Sequence, residues 1–295
     1  MRYSLQERFL GAYLGSLIGE KLSIGIIETK PVPWLKIHQD IITQIPLSAG
    51  QSLSWENLTI NITENNSLSE IALAILPIIL YYHDNLTQLE LLLHRTVQHW
   101  QIPLSNMDGI LWWSAAISLI LREKLTPENL WEQLILTSKI FTHSFEDNSA
   151  SWQLLFDRGL SISEIIEELS LVAASEMLPF LLSLYCFYQT PENFALTIKQ
   201  ASTVKNRVSN ILALTGFLSG AYNVRYTFPV NWRKFCQNGN DYKKTWQLGR
   251  NVFALWSGVY MPKNNVNISA IIATPRTLQN RSSLTIISQS DYESK

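Results

Sequence analysis

The side chains able to do chemistry are sparse in this sequence, and their spacing excludes several reactions at once. The five histidines are His38, His83, His94, His99 and His143, and no two stand four residues apart. A helix presents paired ligands at i and i+4, so the step from His94 to His99 misses a shared face and a histidine metal site is not expected. Cys186 and Cys236 are isolated from each other. They form neither a zinc pair nor a disulfide framework, and they suit a reducing, cytoplasmic compartment. No G-x-S-x-G run occurs, so the elbow that presents a nucleophilic serine is missing. Most of the ten tryptophans read as core residues. Trp232-Arg233-Lys234, with Trp246 near Lys243-Lys244, is the exception where aromatic and basic side chains interleave as a nucleic-acid surface requires. A basic patch alone does not make such a surface, and nucleic acid is not an expected partner.

Charge is divided along the chain although the net value is only −1. Residues 1–194 carry 10 Lys/Arg against 21 Asp/Glu, whereas residues 195–295 carry 13 against 3. Either the halves neutralise each other across the fold, or a basic face remains that attracts phosphates, nucleic acid or an acidic partner.

The elements that must position these residues read as helices. With 295 residues, 46% apolar and 16% charged, the chain can bury enough surface to fold. Its longest apolar stretches, 71–82, 110–121 and 177–188, fall short of the roughly 20 residues of a membrane span and read as buried helices. Charges at Arg2, Glu7 and Arg8 leave no apolar run for a signal peptide. Ser4 with Glu7, Ser67 with Glu70 and Ser161 with Glu164 have capping-box spacing. Thr126-Pro127-Glu128 and Thr190-Pro191-Glu192 read as further helix starts. The expected class is all-α. Residues 30–58 read as a long loop with one short helix near 34–44, and residues 261–295 as a polar tail, disordered or a weak hairpin, appended to a helical domain over 1–260.

Gly11, Gly15 and Gly19 recur on one helical face, and Gly216 with Gly220 repeat the device. Each glycine costs a helix about 1 kcal/mol relative to alanine, so two central helices approaching backbone to backbone are expected. The spacing does not fit a dinucleotide fingerprint.

Taken together, these stretches resemble the ADP-ribosylglycohydrolase family, which includes the glycohydrolases that reactivate dinitrogenase reductase. Arg8-Phe9-Leu10-Gly11 through Gly15 and Gly19 to Glu20-Lys21-Leu22 is similar to its first helix, with Glu20 where an aspartate is usual. Phe141-Thr142-His143 looks like its Leu-Thr-His element, and Gln189-Thr190-Pro191-Glu192-Asn193-Phe194 looks like its His-Pro-Asp-Asp-Phe helix start. Leu214-Thr215-Gly216-Phe217-Leu218-Ser219-Gly220-Ala221-Tyr222, followed by Pro229 and Trp232, is similar to its late glycine helix and turn. The resemblance spans about residues 8–258 and implies a single-domain orthogonal helical bundle of hydrolase fold. It also implies a cleft in which two magnesium or manganese ions hold ribose diols and activate water.

The family draws its metal ligands mainly from two aspartate motifs. The resemblance lays the first on Asn66-Ser67-Leu68-Ser69 and the second on Lys205-Asn206-Arg207-Val208-Ser209-Asn210, and neither stretch contains an aspartate. No Asp or Glu occurs between residues 195 and 235. Two cations beside Lys205 and Arg207 would be repelled as well. The binuclear Mg/Mn site is therefore expected to be lost, with no metal, no other cofactor and no family-type hydrolysis. What remains is a pseudoenzyme that binds an unknown protein or a phosphorylated small molecule such as ADP-ribose. The ligand-binding candidates are Lys205, Arg207, Ser209, Asn66, Ser67 and Ser69, with Glu20 the one family-position acid left. Lys205 and Arg207 would contact phosphate directly; alternatively the cleft is filled and they are surface charges at a helix start. An active hydrolase using other residues, or a scaffold whose tail recruits a partner, are the competing readings.

Overall fold

The glycine rows predict two helices in backbone contact, and the computed structural model has them. It describes residues 3–24, 32, 34–44, 67–99, 107–126, 129–138, 140–141, 146–204, 210–237 and 240–258. Helices α1 (Leu5–Ile24) and α12 (Ile211–Asn223) run antiparallel, Gly11 facing Gly220, Gly15 facing Gly216 and Gly19 facing Leu212. A Cβ on Gly15 would run into the Gly216 carbonyl oxygen, and one on Gly216 into that of Gly15. Close backbone contact over these turns offsets the weak helix propensity of the glycines.

Further helices enclose this pair. α14 (Asn240–Ser257) covers α1, where Gly249 meets Leu10 and Tyr13. α10 (Leu178–Gln189) and α11 (Phe194–Ser202) pack on α12. In α6 (Asp108–Leu121) every residue from 109 to 121 is buried, and Trp113 lies between Phe180 and Phe217, its ring 6.1 and 5.5 Å from theirs. Trp112 packs against Trp131 of α7 (Leu130–Ser138) and Trp152 of α8 (Glu146–Asp157). These tryptophans are core residues.

The remaining elements are α2 (Trp34–Gln44), α3 (Leu68–Ala74), α4 (Leu76–Tyr81), α5 (Leu86–His99), α9 (Ile162–Val172) and α13 (Val230–Gln237). The described residues contain helices, turns and bends but no strand, so the expectation of an all-α chain holds for them. No helix among them is long and apolar enough to cross a membrane. The short helix expected near 34–44 is α2. The rest of the 30–58 loop, Val32 apart, and the 261–295 tail lie outside the described residues.

Local chemistry explains several boundaries. Ser67 with Glu70, and Ser161 with Glu164, close both halves of their capping boxes, and the Ser4 hydroxyl accepts the Glu7 amide at 3.3 Å. Two expectations need correction. The apolar stretch 71–82 is two helices rather than one, because the backbone leaves helical geometry at Ile75 and Pro77 lacks an amide to continue the ladder. Thr190 does not start a helix: it ends α10, its hydroxyl donating to the Cys186 carbonyl at 3.3 Å. Asn193 caps α11 instead, its side chain accepting the Leu196 amide at 3.1 Å.

Three ion pairs fasten α1 to its neighbours. Arg225 donates twice to Glu7, at 2.8 and 3.3 Å. Lys21 meets Asp241 at 2.8 Å, and Arg8 meets Glu123 at 3.0 Å.

Candidate functional site

The start of α3 and the start of α12 meet, although the residues that touch are 141 apart in sequence. Ser67 caps α3, and its hydroxyl accepts the Glu70 amide while the Glu70 carboxylate accepts the Ser67 amide. The capping geometry aims the following turn inward, so Ser69 is fully buried. Its hydroxyl lies 2.9 Å from that of Ser67 and accepts from the Asn210 side-chain amide at 3.0 Å. With Ser69 donating to Ser67, one chain of hydrogen bonds runs from Asn210 to the α3 cap.

Asn210 stands just before α12 with φ 60 and ψ 1, a left-handed conformation that asparagine tolerates better than most residues. It turns the chain into α12 while its side chain reaches Ser69. Asn210→Ala is therefore expected to cost about 1–2 kcal/mol, from a lost hydrogen bond plus left-handed strain. Asn210→Gly would lose the bond but relieve the strain, so urea unfolding should place it between wild type and alanine. Asn210→Gly at or above wild-type stability would show that the contact carries no weight.

Carboxylates lie near the start of α3. Glu176, in the 3-10 turn before α10, accepts the Leu68 amide at 3.0 Å. Glu20, in the last turn of α1, has its carboxyl pushed above the usual range by burial, with Lys21 opposing and Glu70 adding to the shift. A carboxyl whose folded pKa exceeds its unfolded one opposes folding when ionised, and the opposition fades as pH falls below both values. Glu20→Gln is thus expected to raise the melting temperature at pH 7, by a margin that narrows toward pH 4. A lower melting temperature at pH 7 would mean that the Glu20 charge has a favourable partner.

Among the described residues, the groups that meet at this joint are two hydroxyls, a carboxamide and the carboxylates of Glu70 and Glu176. Magnesium and manganese need several anionic oxygens. The Ser67 and Ser69 hydroxyls are bonded to each other, and Ser69 also takes the Asn210 amide. The Glu70 and Glu176 carboxylates are engaged by the amides of Ser67 and Leu68. Among the described residues no three His, Cys, Asp or Glu side chains are grouped to hold a metal ion.

Of the sequence-predicted candidates, Ser67 and Ser69 are thus at this joint, and Glu20 is near enough to the Glu70 carboxylate to feel its charge. Asn66, Lys205, Arg207 and Ser209 lie outside the described residues, as do Thr142 and His143. Asn210 and Glu176 were not among the candidates. Asn210 ends the second motif stretch, and its type beside a helix start was the signal for a left-handed turn. Glu176 carries no local signal, since its partner is 108 residues away. No family model matches the chain, and no curated protein matches it.

Proposed function

We propose that this chain is an ADP-ribosylglycohydrolase-like protein that binds a phosphorylated ligand or a protein partner without hydrolysing a glycosidic bond. The observation that carries the reading is the contact of Asn210 with Ser69. Two stretches singled out separately as counterparts of metal motifs share one hydrogen bond, as segments of one former site would. By the register of the resemblance, Ser69 and Asn210 stand at the last position of each motif, beside the aspartate positions taken here by Ser67, Leu68, Arg207 and Ser209. Ser67 and Asn210 are half-buried and would offer their remaining hydrogen-bonding capacity to sugar hydroxyls or phosphate oxygens, whereas Ser69 is fully buried and braces them. Lys205 and Arg207, a few residues before Asn210, would supply positive charge for a diphosphate such as that of ADP-ribose. Two free cysteines, both buried, suit a reducing cytoplasm.

Thermal melting of the full chain with ADP-ribose, with and without magnesium or manganese, tests the reading. Stabilisation by ADP-ribose alone, abolished in Arg207→Glu, is expected, because a ligand bound only by the folded state raises the midpoint. Stabilisation that requires metal would overturn the loss of the cation site and favour an active hydrolase. No shift at millimolar ADP-ribose would remove the ligand from the reading and leave only a protein partner.

A further inference from the structure

A second concave site lies near the other end of α12, about 20 Å from Asn210 at 1.5 Å per helical residue. Here α14 and the chain following α12 enclose an open groove of about 460 Å³, within the size range of small-molecule sites. Its floor is one face of α14, where Lys243, Trp246, Gln247 and Arg250 recur at helical spacing with Asn251 beside them. Arg225 forms the opposite wall. A smaller hollow of about 60 Å³ adjoins it, sharing Arg225 and Tyr242 and lined also by Arg233. That space suffices for one phosphoryl group or about four waters.

Charge, ring and amide groups converge here. From residue 195 to 258 the only acid is Asp241, and it is taken by Lys21. Arg225 is neutralised by Glu7, but Lys243 and Arg250 are exposed with no acidic partner among the described residues. Arg233 has a buried Nε with no acceptor among them, an unmet donor at the edge of the hollow. The Arg225 guanidinium lies 4.4 Å from the Trp246 ring centre, and the Tyr242 ring is 6.2 Å from that of Trp246 and inclined by 27°. A cation held over an indole beside a second ring makes a wall suited to a planar heterocycle.

The backbone that delivers Arg225 is itself unusual. Val224 has φ 55 and ψ 169, a region that β-branched residues avoid, and it is fully buried. This turn ends α12 and carries Arg225 across to Trp246. Strained residues of this kind are held by surrounding structure and concentrate at ligand sites.

We propose that the groove binds a nucleoside triphosphate. Lys243, Arg250 and Arg233 take the phosphates, Trp246 and Tyr242 hold the base, and Gln247 with Asn251 meet polar edges of base or ribose. Phosphate alone would not use the aromatic wall, and an uncharged nucleoside would leave the cations unanswered. The site is independent of the Ser69–Asn210 joint, so either can fail without the other.

Isothermal titration of the full chain with ATP tests this assignment, with inorganic triphosphate, adenosine and a ten-residue oligothymidylate as parallel probes. ATP should bind, and Lys243→Glu and Arg250→Glu should each weaken it about tenfold or more, the loss of one charge-assisted contact. Both side chains are exposed, so melting temperatures should hold. Trp246→Ala should weaken ATP but leave inorganic triphosphate unchanged, and Trp246→Phe, the milder variant should alanine disturb folding, should retain ATP binding in part. Arg207→Glu should leave ATP binding at this groove intact, which separates the result from the reading of the first site. Absence of ATP binding at millimolar concentration, or binding insensitive to the Lys243, Arg250 and Trp246 variants, would overturn the assignment. Oligothymidylate binding that is tighter than ATP and lost in the same variants would also overturn it, in favour of a strand-binding surface.

Discussion

Gly15→Ala is expected to lower the melting temperature by about 5 °C, the effect of roughly 3 kcal/mol in a protein of this size. Considered within α1 alone, the same change should stabilise, since alanine favours a helix interior by about 1 kcal/mol over glycine. The tertiary contact reverses the sign. A Cβ at Gly15 meets the Gly216 carbonyl oxygen and carbon and the Gly220 Cα, all of them backbone of α12. No rotamer change relieves a clash with helical backbone, so α1 and α12 must separate and give up contact along their length. Gly249→Ala provides the contrast, because its Cβ would meet side-chain carbons of Leu10 and Tyr13 at 3.2 and 3.3 Å. Those ends can shift, and its cost should stay near 1 kcal/mol or below. Differential scanning calorimetry of both variants decides the matter; an unchanged or higher midpoint for Gly15→Ala would refute the backbone contact of α1 with α12.

The same pair of helices shows why much of the fold was legible. Glycines every fourth residue have a helical cost that only close packing repays, so Gly11, Gly15, Gly216 and Gly220 announce a specific contact from sequence alone. Capping boxes at Ser67 and Ser161 were legible because both partners lie within one turn. Legibility ended where the deciding partner was remote. Nothing near Ser69 indicates Asn210, and nothing near Leu68 indicates Glu176. The Thr190 start was misplaced because Asn193 offered a second competent cap, and the choice fell to contacts that Thr190 makes with α10. At the groove, the interleaving of Trp246 with Lys243 was visible in sequence. The wall from Arg225, which makes that face concave, depends on how the chain leaves α12. Trp232, Lys234 and Lys244 belonged to the same sequence patch, yet none of them lines the groove.

A pH test on His38 probes the burial of α2 against the core. His38 is fully buried, its ring stacked 4.7 Å from Trp34 and edge-on to Tyr13 at 5.5 Å. Its Nε2 donates to the Leu73 carbonyl at 2.6 Å, while Nδ1 is buried with no partner among the described residues. Burial pushes its pKa down to about 3, against a smaller upward pull from that carbonyl, so the ring is neutral in the folded protein. An unfolded chain protonates the same ring near pH 6.5. Above that pH both states are neutral and the group adds no pH dependence. Between 6.5 and about 3 only the unfolded state takes up the proton, and stability falls as pH falls. At pH 5 the loss from this residue is about 2 kcal/mol relative to pH 7. His38→Gln loses ring packing and should be less stable at both pH values, but it has no proton to take up. The drop in urea unfolding free energy from pH 7 to pH 5 should therefore be smaller in His38→Gln than in wild type by about 2 kcal/mol. An identical drop in the two proteins would mean that His38 ionises as readily folded as unfolded, which the stacked, buried ring against Trp34 and Leu73 does not permit.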